Sequence, residues 1–170
     1  MHKQKNWLMN VLFERHIEYL SDVPMTFERE LIRTIDWDSR LILIRGPKGV
    51  GKSTLMQQYI LKNYDISDRH ALYCSADTGY FTTHTLVDTA ATFVRQGGER
   101  LFIDEVHKYD GWSKEIKEIY DLYKSLKIVL SGSSLIQLND GEADLSRRQD
   151  IYDMPGLSFR EYLWFRTGKE

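Results

Sequence analysis

Short apolar runs alternate with amphipathic stretches along most of this chain. Leu41-Ile42-Leu43-Ile44 within 41–45, Ala71 to Ser75, Arg100 to Ile103 and Lys127 to Leu130 read as buried strands, and Asp150 to Met154 as a last one. Between them apolar residues recur at helical spacing. They do so from Thr54 to Leu61, at Leu86, Val87, Ala90, Phe93 and Val94 within 83–96, and at Trp112, Ile116, Ile119, Tyr120 and Tyr123. Residues 6–20 predict a helix with Trp7, Leu8, Val11 and Leu12 on its apolar side, and Phe27 to Ile35 a second. Leu135 to Leu138 reads as a short helix, followed by an Asn139-Asp140-Gly141 turn and a polar loop over 141–149. Ser158-Phe159-Arg160-Glu161 is a capping box that opens a terminal helix. Strands alternating with helices in this way predict an α/β fold, a parallel sheet with helices on both faces.

The turn after the first strand carries chemistry. Gly46-Pro47-Lys48-Gly49-Val50-Gly51-Lys52-Ser53 lies between a strand and a helix, the context the phosphate-binding P-loop G-x-x-x-x-G-K-[ST] requires. Glycines let the backbone wrap closely with its N–H groups aimed at phosphate oxygens, and the new helix adds the positive end of its dipole. Lys52 has the reach for β- and γ-phosphates, and the Ser53 hydroxyl is a Mg²⁺ ligand type. Such a match arises by chance on the order of once in a hundred chains of this length. Gly46 to Thr54 is therefore the expected nucleotide cradle.

A P-loop alone does not separate hydrolase from kinase or switch. Leu101-Phe102-Ile103-Asp104-Glu105 is an apolar strand delivering two carboxylates to the crevice where open α/β sheets bind ligands. Asp104 suits the Walker B role, holding Mg²⁺ opposite Ser53, and Glu105 suits the general base for an attacking water. Ser131, Ser133 and Ser134 end the next strand. The pattern does not choose among them for contact with the γ-phosphate, Ser133 stands as the candidate, and helix capping is the plainer reading. Arg147 and Arg148 are candidates to neutralise transition-state charge, in their own subunit or a neighbour's, with a solvated pair as the alternative. His107 and Lys108 are expected to be exposed, and Asp77 has a weak claim to face the site.

Composition narrows the rest. A chain of 170 residues, 42% hydrophobic and 28% charged, has the make-up of one globular domain able to bury a sizeable core. The formal charge of −2 makes no electrostatic case for nucleic acid and leaves a local basic patch open. The single cysteine, Cys74, sits in an apolar strand and reads as a core thiol, so no disulfide or zinc cluster is expected. Apolar runs fall far short of a membrane helix, and Lys3 and Lys5 lead into a mixed amphipathic stretch. No membrane contact and a cytoplasmic location are the expectations.

Taken together, Gly46 to Ser53, Asp104-Glu105, the strand ending Leu130-Ser131-Gly132-Ser133-Ser134, and Pro155-Gly156-Leu157-Ser158-Phe159-Arg160-Glu161-Tyr162 resemble a prokaryotic AAA+-type ATPase family. Its members carry an N-terminal ATPase domain and a C-terminal domain of unknown function. The resemblance runs from about residue 20 to the end. It implies a P-loop three-layer sandwich with strand order 5-1-4-3-2 and a second domain that this chain lacks, with residues 1–38 a helical lead-in to one domain spanning 1–170. The family's Gly-Arg near 147 is here Ser146-Arg147-Arg148. Phe159, Tyr162, Trp164 and Phe165 on the terminal helix are placed to pack on that absent domain or within this one.

The reading is an ATP-binding, Mg²⁺-dependent ATPase module that couples nucleotide state to an attached domain or partner. Its alternatives are a nucleotide-dependent switch, DNA-associated or signalling, with little turnover, and a small-molecule kinase. No Asn-Lys-x-Asp segment is present, which disfavours a GTPase. The partners expected are a nucleotide, the absent domain or a protein, and further copies of the chain; nucleic acid is left open.

Overall fold

Alternation along the strands sorts the core into two layers. Leu41, Leu43, Leu101, Ile103, Ile128 and Leu130 pack with Leu12, Phe13, Ala90, Phe93, Ile116 and Ile119 on one side of the sheet. Ile42, Ile44, Tyr73, Phe102 and Val129 pack with Leu55, Met56, Ile60, Ile32 and Ile35 on the other. The computed structural model describes residues 2–133, 145 and 147–169. In order the elements are α1 (His2–Ser21), β1 (Leu41–Gly46), α2 (Lys52–Asn63), β2 (Ala71–Ser75), α3 (Leu86–Arg95) and β3 (Arg100–Asp104). Then come α4 (Trp112–Leu122), β4 (Lys127–Ser133), β5 (Asp150–Asp153) and α5 (Phe159–Thr167). The strands form one five-stranded sheet in the order β2-β3-β4-β1-β5, with every neighbouring pair parallel. This is the expected 5-1-4-3-2 order counted from the other edge.

Register brings the chemistry to one edge. Gly46 lies opposite Ser133 and Ser75 opposite Asp104, so β1, β2, β3 and β4 all present their carboxyl ends together. The glycine at the end of β1 is required by contact: a Cβ at Gly46 would overlap the carbonyl of Met154.

Several expected elements take different bounds. The helix predicted over Phe27–Ile35 is only a 3₁₀ turn, Glu30–Arg33. Its preceding carbonyls are used elsewhere: the Gln58 amide donates to Pro24 and Phe27 carbonyls at 2.6 and 2.7 Å, and Arg29 is extended. The 83–96 helix starts at Leu86, because Thr85 caps it by accepting the Asp88 N–H. In α1 the buried stripe is Met9, Leu12, Phe13, His16 and Leu20, while Trp7 is exposed. Helix α1 packs on β2, where the buried His16 Nδ1 accepts the Tyr73 N–H at 2.9 Å. Trp37 packs as expected, stacked on Tyr59 with its indole N–H on the Ile32 carbonyl. Ser134, Ser146, the Leu135–Leu138 helix, the Asn139-Asp140-Gly141 turn and much of the 141–149 loop lie outside the described residues.

Candidate functional site

The P-loop turns as its glycines allow. Gly49 and Gly51 both have left-handed backbone, φ 83° and 97°, and Gly51 is the N-cap of α2. Lys52 is buried, its ammonium donating to the carbonyls of Gly46 and Pro47 at 3.0 and 2.9 Å. Ser53 and Thr54 follow in the first turn of α2.

Across the sheet edge, Asp104 is buried at the end of β3. The Tyr73 hydroxyl donates to its Oδ2 at 2.7 Å, and the Ser131 hydroxyl donates to its Oδ1. Burial, the charge of Asp104 and this hydrogen bond push the Tyr73 phenol far up, so it remains a donor at any ordinary pH. Two hydroxyls thus hold the Asp104 carboxyl in place. Tyr73 supports Asp104 from β2; strand pattern marks it as core, and only its packing reveals this role.

Glu105 is the one described non-glycine residue with positive φ, 51°. That turn swings it off β3, and its N–H donates to the Ser131 Oγ at 3.0 Å. Ser131, the fully buried serine of the strand, therefore braces both acids. Ser133 is half-buried at the strand end, and its N–H donates to the His107 Nδ1 at 3.4 Å. The His107 Nε2 is 3.3 Å from the Glu105 carboxylate. His107 is thus part of the carboxylate's surroundings, not the freely exposed residue expected. Asp77 lines a separate cavity of about 540 Å³ with Lys108, Tyr109 and Asp110.

Arg147 and Arg148 are not brought to the phosphate side within one chain. Asp150 pairs with Ile42 near the start of β1, whereas Asp153 pairs with Arg45 beside the P-loop. The arginines precede Asp150, and the Arg148 guanidinium is 3.7 Å from Asp121 near the end of α4. The expectation of a role in their own subunit is corrected: a strand at about 3.3 Å per residue separates them from Gly46.

Residues assigned no role in the site from sequence form the other wall. A cavity of about 440 Å³ opens beside the P-loop, lined by Lys48–Gly51 on one side and by Phe27, Leu157 and Phe165 on another. Arg29, buried beneath it, donates from Nε to the Glu161 carboxylate at 2.8 Å and from Nη1 to the Val50 carbonyl at 2.5 Å. Its Nη2 donates to the carbonyls of Pro155 and Gly156 at 2.8 and 3.1 Å. Glu161 also accepts the N–H groups of Glu30 and Ser158. Burial alone would raise the Glu161 pKa, but Arg29 and these N–H donors outweigh it and bring the carboxyl down to about 2. By contrast, burial and the nearby Asp104 push the Cys74 thiol up to about 12, consistent with an inert core residue.

Residues 38–163 match the AAA domain family. The chain belongs to that family. The AAA domain has the fold of solved AAA+ ATPases. One is PCH-2 of C. elegans, 18% identical with a TM-score of 0.50 over 91% of this chain and 43% of that one. A second similar structure is AMPPCP-bound DnaA from Aquifex aeolicus, 18% identical with a TM-score of 0.49 over 78% of this chain and 45% of that one. The AAA domain spans less than half the length of either protein. Among curated proteins, none matches its sequence. No described helix is long and apolar enough to cross a membrane.

Proposed function

We propose that this AAA domain binds ATP with Mg²⁺ and hydrolyses it, coupling nucleotide state to an attached domain or partner. The observation that carries the reading is the cavity beside the P-loop. A concave space of about 440 Å³ with apolar and aromatic lining, continuous with a phosphate-binding backbone, suits a purine base and its phosphates together. Phe27 and Phe165 supply flat surfaces for the base.

The donor set fits Mg²⁺. Ser53 and Asp104 offer hard oxygens, and the Asp104 carboxyl is held by the Tyr73 and Ser131 hydroxyls. Among the described residues no group of three or more His, Cys, Asp or Glu could hold a metal ion. When bound, Mg²⁺ would neutralise charge on the phosphate oxygens. Lys52 exchanges loop carbonyls for phosphate oxygens, and Glu105 accepts the proton of the attacking water.

A second reading, a nucleotide-dependent switch with little turnover alone, is favoured by one observation. Arg147 and Arg148 sit at the far end of the strands in their own chain, so a neighbouring copy would have to bring a transition-state arginine. Hydrolysis rate per subunit against protein concentration separates the two: a flat profile supports a self-sufficient site, a rising one an assembled site. Isothermal titration with ATP and GTP tests the base; preference for GTP would overturn the ATP assignment.

A further inference from the structure

We infer that Arg29 is a positioning residue for the phosphate-binding loop, tying the orientation of the Val50–Gly51 peptide to the start of α5. The inference rests on the reading of the P-loop as a nucleotide site. Its argument begins with peptide geometry. In a planar trans peptide the carbonyl of one residue and the N–H of the next point in opposite directions. The Val50 carbonyl accepts from the Arg29 Nη1 at 2.5 Å, so the Gly51 N–H faces away from Arg29. Gly51 has φ 97°, and glycine tolerates both signs of φ. Rotation of this peptide is therefore cheap unless something holds its carbonyl. Arg29 is what holds it.

The guanidinium is itself fixed from the other side. Its Nε is on Glu161 at 2.8 Å, and its Nη2 is on the Pro155 and Gly156 carbonyls. The ion pair is buried, with side chains 7% and 6% exposed, so water does not compete for these bonds. Glu161 in turn accepts the Glu30 and Ser158 N–H groups, and Ser158 caps α5. A single planar fork thus reads the position of the lead-in and of the first turn of α5, and sets one peptide of the phosphate loop. A lysine carries the same charge but no fork, and cannot satisfy Glu161, Val50 and the 155–156 carbonyls in this geometry.

A buried pair that only holds the fold predicts something different. It would lower thermal stability on substitution and leave the folded protein's nucleotide affinity alone. The test compares wild type with Arg29→Lys, measuring the Kd for Mg-ADP by isothermal titration and the melting temperature without nucleotide. The expected result is a folded Arg29→Lys protein that binds ADP at least about tenfold more weakly. A folded variant with affinity within about twofold of wild type, whatever its melting temperature, overturns the inference. Hydrogen exchange on the wild type gives an independent answer should Arg29→Lys not fold. ADP is expected to slow exchange at Glu30 and across 155–162, and no change there overturns the coupling. Wild type that binds neither ADP nor ATP defeats the nucleotide reading itself, a separate outcome from wild type that binds while Arg29→Lys binds equally.

Discussion

The two walls of this site are built on different principles. The sheet-edge wall consists of strand ends that carry their functional residues: β1 runs into the P-loop, β3 ends on Asp104 with Glu105 next, and β4 ends with Ser131 and Ser133. Parallel register alone brings them together. The opposite wall is gathered from the chain's two flanks, with Arg29 and Glu161 separated by 132 positions yet joined in one buried pair. The first wall supplies chemistry and is local in sequence. The second supplies shape and orientation and exists only once the fold has closed. Losses at the acids of the first should therefore appear in rate, and losses in the second in affinity and stability.

The largest effect expected from breaking that division is on Glu105→Gln. Removing a general base costs typically 10²–10⁴ in rate. The Ser131 Oγ still accepts the N–H of residue 105, so the backbone there keeps its support. Steady-state hydrolysis should fall by about 10² or more while ATP affinity stays within about twofold. Equal loss of affinity would mean that Glu105 also holds the nucleotide, and unchanged turnover would remove Glu105 as the base.

Next in size is an acid-stability effect confined to the second wall. The Glu161 carboxyl has a folded pKa of about 2 against an ordinary 4.5. A depressed carboxyl contributes its stability above the unfolded value and loses it as pH falls through the folded one. The contribution is roughly 3 kcal/mol, and it should disappear between about pH 4.5 and 2. His16 operates in another window: burial pushes it down to about 4, so its stabilising contribution fades from about pH 6.5 to 4. Urea unfolding from pH 7 to 2 should show both windows. Glu161→Gln should flatten only the lower one, and loss of the upper one instead would reassign the acid response to His16.

How much of this could be read from residues follows the same division. The strand order came with the family resemblance. The alternating strands and helices, the P-loop, the acid pair and the Ser158–Glu161 cap depend on residues within a few positions of each other or on patterns repeated at fixed spacing. These were legible. The Pro155–Tyr162 segment was visible as a family mark, but its purpose was not, because Glu161 acts on a residue at the other flank of the chain. Arg29 sits inside a stretch whose helical spacing predicted a longer helix. The competing partners for that backbone, the Gln58 amide and Glu161, come from α2 and α5. The own-subunit reading of the arginine pair was illegible for the converse reason: sequence placed Arg147 and Arg148 near a strand, but only register shows that they lie at its beginning rather than beside the P-loop.

The smallest expected effect gives the finest test of the second wall. Ser158 caps α5, its Oγ accepting the Glu161 N–H at 3.2 Å, while its own N–H serves the Glu161 Oε2 at 2.8 Å. Ser158→Ala removes the first of these bonds and keeps the second, because only the side chain changes. Helix capping at this level is worth about 1 kcal/mol, so the melting temperature should fall by a few degrees. The Arg29–Glu161 pair is left intact, with its bonds to Val50, Pro155 and Gly156. ADP affinity should therefore stay within about twofold of wild type, well short of the loss expected for Arg29→Lys. If Ser158→Ala weakened ADP binding as much as Arg29→Lys, order in the first turn of α5 would be the controlling quantity, and the guanidinium fork only one of its consequences.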